Sequence, residues 1–126
     1  MAYIDVTRRI LEFAVAGHPR PVLLAGGRLM HMPQGGGLPV GVLPGDLYET
    51  HRLVLPADAL LVLFTDGVTE ARRHGQLFGE RRVQRVVRLH AGDGAEGVAQ
   101  ALLDSVRRFT GNVLEDDVAV VVVSMP

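Results

Sequence analysis

A chain of 126 residues that is 48% hydrophobic and 21% charged is long enough to bury one core and too apolar for a disordered segment. With 13 Lys+Arg against 14 Asp+Glu the net charge is -1, so no overall field draws it to nucleic acid or to an anionic membrane. Cysteine is absent, which excludes disulfides and thiolate metal sites and leaves oxygen and imidazole as the only metal ligands.

The N-terminus MAYIDVTRR has no basic start followed by an apolar run, and no apolar stretch approaches a membrane span. The expectation is a cytoplasmic protein with a single domain over residues 1–126. Residues 3–24 read as two extended segments. Leu11 to Ala16 is strand-like, the Gly17-His18-Pro19-Arg20-Pro21 stretch forbids regular pairing, and Val22 to Ala25 resumes it, which suggests adjacent strands of a meander. Ala25-Gly26-Gly27-Arg28 is a tight hairpin signal with Leu29 to Met32 as the return strand, and residues 32–39 are too rich in Gly and Pro for anything but a loop. Tyr48 to Leu55 alternates loosely before a turn at Pro56-Ala57-Asp58. The continuous apolar run from Ala59 to Phe64 then predicts a strand covered on both faces.

Helical spacing begins at Gly79 and runs to His90, with Val83, Val86 and Val87 on one side and Arg81, Arg82, Arg85 and Arg88 away from it. Those arginines read as a solvated face, and without interleaved aromatics they do not predict nucleic-acid binding. A second helix fits Glu96 to Phe109, capped by Asp93 or Ala95 and stopped by Gly111 and Asn112. The β-branched run from Val118 to Val123 predicts a central strand. Helices segregated from an antiparallel sheet define an α+β fold with two helices packed on one side.

Asp66 follows one apolar strand and Asp116-Asp117 precedes another. If those strands are antiparallel neighbours, the acids meet at one sheet edge. Like charges brought together there are costly unless a cation neutralises them. Oxygen ligands suit Mg²⁺ or Mn²⁺, and Gly67 lets its own carbonyl approach an ion without a Cβ in the way. The same residues read equally well as a D-G turn and a solvated strand start.

Several segments together resemble the PPM/PP2C-type protein phosphatases, in their SpoIIE/RsbU branch. They are FAVAGHPRPVLL at 13–24, GGLPVGV at 36–42, LVLFTDGVTEAR at 61–72, Phe78-Gly79, and DDVAVV at 116–121, in family order and at family-like spacing. The resemblance implies an αββα sandwich in which carboxylates hold two Mn²⁺ or Mg²⁺ ions and a metal-bridging water attacks a phosphoserine or phosphothreonine. It implies Asp66 and Asp116 as metal ligands, with Gly67 beside them and Asp117 in a second, Asn-like place. His18 would sit on a substrate-side loop in a mainly structural role, and no residue of the chain is expected as a separate catalytic group. The implied substrate is a phosphorylated anti-sigma-factor antagonist in stress and sporulation regulation.

The chain departs from the pattern in having no D-G-x-G-H-G-type motif ahead of the A-G-H-P segment; Asp5 precedes Val6-Thr7 rather than a glycine-rich turn. The expectation is therefore a truncated, partial αββα sandwich that holds one ion or none and is impaired as a hydrolase. The alternative is a non-catalytic domain of the same type that binds a partner, or forms a homodimer that covers exposed sheet edges. A phosphorelay receiver or a haloacid-dehalogenase-type phosphatase would need alternating βα units and a second acid cluster near the N-terminus, and neither is present.

Overall fold

The computed structural model describes residues 1–33, 36–45 and 47–126, so positions 34 and 35 of the expected Gly/Pro loop lie outside the described residues. The chain runs β1 (Ala2–Asp5), β2 (Ile10–Phe13), β3 (Val22–Ala25), β4 (Arg28–Leu29), β5 (His51–Val54), β6 (Leu60–Phe64), α1 (Asp66–Thr69), β7 (Arg72–Arg73), β8 (Gln76–Leu77), α2 (Gly79–Leu89), a 3₁₀ turn (Ala91–Asp93), α3 (Gly94–Thr110) and β9 (Val120–Ser124).

The strands form an antiparallel β1-β2-β5 sheet, an antiparallel β4-β3-β6-β9 sheet and the small β7-β8 hairpin. The four-stranded sheet is the middle layer, because its strands carry apolar side chains on both faces. On one face Val22, Leu24, Leu60, Val62 and Phe64 pack with Val83 and Val87 of α2 and with Val98, Leu102 and Val106 of α3. On the other, Leu23, Ala25 and Leu61 pack with Leu11 and Phe13 of the three-stranded sheet, closed by Met32, Leu55 and Met125. The layers are therefore helices, sheet, sheet, with α2 and α3 on one side as the α+β reading expected.

Two of the expected strand relations differ. β2 and β3 do not form a meander: they belong to separate sheets, and the Gly17–Pro21 segment carries the chain across the sandwich. Gly17 anchors that crossing, with its N–H bonded to the Gly37 carbonyl, a φ of 68°, and Pro39 where a Cβ would go. β9 starts at Val120 rather than Val118 and lies at the edge of its sheet, paired with β6 on one side. Its apolar composition reflects the two faces it covers rather than a central position.

The remaining elements follow local chemistry. Gly26 and Gly27 take φ values of 55° and 72°, as a two-residue hairpin turn requires, although the return strand is only Arg28–Leu29. Gly111 ends α3 in the left-handed region, and its N–H bonds the Arg107 carbonyl. Asp93 stands at the N-cap of α3 without a side-chain capping bond.

Candidate metal centre

Strand register decides which acids meet. β6 pairs antiparallel with β9 from Leu60↔Ser124 to Phe64↔Val120, so the C-terminal end of β6 and the N-terminal end of β9 lie at one edge. β3 pairs antiparallel with β6 through Val22↔Val62, which brings the His18–Pro21 loop to the same edge. The antiparallel pairing that the strand-end reading supposed is present, so the Asp66-Gly67 and Asp116-Asp117 segments lie at one end of the sheet, with the His18 loop at the same end. Asp116 lines both of the acidic clefts there and Asp66 lines neither.

Beyond the last ladder pair, Thr65 joins the two acidic segments. Its N–H donates to the Ala119 carbonyl at 3.1 Å. Its hydroxyl donates to the Asp117 carbonyl at 2.9 Å and accepts from the Ala119 N–H at 3.0 Å. Gly67 is buried directly against the Asp117 carbonyl, where a Cβ would collide with the Asp117 backbone. The requirement at Gly67 is therefore close approach between two chain segments.

The acids themselves are exposed. Asp66 opens α1, and one of its carboxylate oxygens accepts the Gly67 N–H at 3.0 Å. Asp116 accepts the Asp117 N–H at 2.7 Å. A cleft of about 290 Å³ is lined by Gly67, Glu70, Arg72, Glu115 and Asp116, among others. A neighbouring cleft of about 440 Å³ takes Asp116 and Asp117 together with Arg107 of α3. Asp117 thus borders only the second cleft, while Asp116 borders both. Glu70 and Arg72 are exposed and make no ion pair among the described residues.

The donors are right in kind for a hard divalent cation and short in number. Among the described residues, no group of three or more His, Cys, Asp or Glu side chains is placed to hold an ion. Mg²⁺ and Ca²⁺ sites are built from several oxygens, and a two-ion centre needs more carboxylates than this edge supplies. His18 is exposed, its Nδ1–H donates to the Pro19 carbonyl at 2.9 Å, and it borders a small cleft with Phe13, Pro21 and Leu63. That bond is local, joining adjacent residues of an exposed loop.

Sequence reasoning gave no role to Thr65, whose strand-end position is ordinary for a β-branched residue. It also passed over Glu115, although its place beside Asp116-Asp117 makes a run of three acids that was a usable signal.

Residues 1–126 match the family model described as Stage II sporulation protein E (SpoIIE). Stage II sporulation protein E of Bacillus subtilis is 27% identical over 123 residues, covering 98% of this chain and 15% of the relative. The chain spans between 15% and 21% of the length of the curated relatives it matches. The PP2C phosphatase domain of Bacillus subtilis SpoIIE, solved with a fragment of its regulatory domain, superimposes with a TM-score of 0.82 at 25% identity. That alignment covers 96% of this chain and 35% of the solved one. A manganese-presoaked form of the SpoIIE phosphatase domain from the same organism gives 0.80 at 22% identity over 99% of this chain and 55% of its own.

Proposed function

The chain belongs to the SpoIIE family, and from that premise we propose that it is part of a metal-dependent protein serine/threonine phosphatase domain. Its substrates would be phosphorylated regulator proteins of the anti-sigma-factor antagonist type, met in the cytoplasm. The observation that carries the reading is the clamp of Thr65 and Gly67 on the Asp117–Ala119 segment, which presents Asp66 and Asp116 at one sheet edge.

In this reading Asp66 and Asp116 ligate a Mn²⁺ or Mg²⁺ ion, with the Gly67 backbone beside it and Asp117 oriented toward the neighbouring cleft. A bound cation of this kind supplies a low-pKa water and neutralises phosphoryl oxygens. The chain's own contribution is placement. Thr65 holds the acidic segments in register, and Arg72 puts a guanidinium on the rim of the acidic cleft, where it can meet a phosphoryl oxygen. The His18 loop, at the same end of the sheet, would border the substrate side.

Two carboxylates hold one ion at most, so the 126-residue chain alone is impaired and full activity requires acids supplied from elsewhere. A second reading, a non-catalytic partner-binding or dimerising domain, is favoured by the exposed outer edge of β9.

The test is Mn²⁺ titration by calorimetry together with hydrolysis of para-nitrophenyl phosphate. The expected result is weak single-site Mn²⁺ binding, lost in Asp66→Asn, with little turnover. Absence of heat in the native chain would remove Asp66 and Asp116 as ligands. Vigorous Mn²⁺-dependent hydrolysis by this chain, abolished in Asp66→Asn, would overturn the impairment.

A further inference from the structure

α2 carries four arginines, and the structure treats one of them differently. Arg82 is committed to the fold: its Nη1 donates to the Leu77 and Phe78 carbonyls at 2.9 Å each, and its guanidinium lies 4.8 Å from the Phe109 ring centroid. Arg81, Arg85 and Arg88 stand at i, i+4 and i+7, one face of the helix, and are exposed. Among the described residues none of the three makes an ion pair or a side-chain hydrogen bond. Like charges at this spacing repel, so the face opposes its own helix while no acid relieves it.

The face also borders a groove. The β3-β4 hairpin packs beside α2, and between them lies a cavity of about 500 Å³ lined by Gly27, Leu29, Arg81, Gln84, Arg85, Arg88 and Leu89, with no acidic residue among them. Leu89 is 70% exposed and Leu29 37% exposed, so two apolar side chains flank the guanidinium row. A row of cations with an apolar border is complementary to a segment that alternates carboxylates with an apolar side chain. From Arg81 to Arg88 the helix rises about 10 Å, the span of roughly three extended peptide residues. Nucleic acid fits less well, because no aromatic side chain lines the groove to stack a base and the leucines have no counterpart on a phosphate backbone.

We propose that this groove docks an acidic segment of a protein partner, its carboxylates meeting Arg81, Arg85 and Arg88 and an apolar residue between them covering Leu29 and Leu89. The inference does not rest on the phosphatase reading, since no residue of the groove belongs to the acidic edge.

The probe is a fluorescein-labelled Glu-Glu-Leu-Glu-Glu peptide, followed by fluorescence anisotropy at low salt. Saturable binding is expected, weakened about tenfold or more in the triple variant Arg81→Gln, Arg85→Gln, Arg88→Gln. A peptide with serine in place of the central leucine should bind more weakly. The three side chains are solvated and repel one another, so the triple variant keeps the native unfolding midpoint or raises it slightly. Arg82→Gln serves as the counter-variant: it lowers that midpoint and leaves peptide binding intact. Equal binding by the triple variant, equal binding of the leucine and serine peptides, or tighter binding of labelled oligothymidylate than of the peptide would each overturn the proposal.

Discussion

Thr65 shows how one hydroxyl can set the geometry of a site to which it contributes no charge. It is half-buried, and both its donor and its acceptor capacity are used on the segment that carries Asp116 and Asp117. Thr65→Val keeps the shape and removes both bonds, leaving a carbonyl and an N–H to find water. The expected cost is about 1–3 kcal/mol, read as a lower urea midpoint at unchanged slope, whereas Thr65→Ser, which keeps the hydroxyl, should retain most of the native stability. On the proposed metal-dependent reading, Thr65→Val should also weaken Mn²⁺ binding through displacement of Asp116, although Thr65 is not itself placed as a ligand. The partners of this hydroxyl lie more than fifty positions away along the chain, a relation that no local pattern announces.

At the scale of elements, stability concentrates where α3 crosses the four-stranded sheet. Leu102 is fully buried between Val98 and Val106 on the helix and the sheet face formed by Leu60, Val62 and Phe64. Leu102→Ala should cost about 2–5 kcal/mol and lower the thermal midpoint by several degrees in a calorimetric scan. This part of the fold was legible: three-to-four spacing marked α2 and α3, and the unbroken apolar run marked β6 as a doubly covered strand. The acidic edge was legible for the same reason, since strand ends could be located and antiparallel pairing joins them. The three-stranded sheet was less so. β1 is four residues with two exposed, and the β7-β8 hairpin turns on His74 and Gly75, both at positive φ, a signal too short to stand out. β2 and β3 fall in separate sheets because β2 pairs onward with β5 and β3 with β6, long-range ladders invisible to local alternation.

The whole molecule is a three-layer stack with one helical layer. The outer face of the three-stranded sheet shows Tyr3 at 62% and Val54 at 77% exposure, and β9 offers a backbone edge with Val121 at 57%. On the dimerising reading the β9 edge is covered by a second copy. Sedimentation velocity should then give twice the chain mass, and Val121→Lys, a charge on an exposed edge position, should return the monomer with its unfolding midpoint nearly unchanged. A dimer indifferent to Val121→Lys would remove β9 from the interface.

The ladder between β6 and β9 also sets a timetable for biosynthesis. Leu60 pairs with Ser124, so the middle layer of the stack stays one strand short until that serine has left the ribosome, on the order of several seconds later at translation rates of about 5–20 residues per second. Through that interval one edge of β6 is uncovered, and α3 has left the ribosome before its sheet is complete. The acidic edge comes into being in the same late step as β9, so the candidate site and the finished core are products of one event.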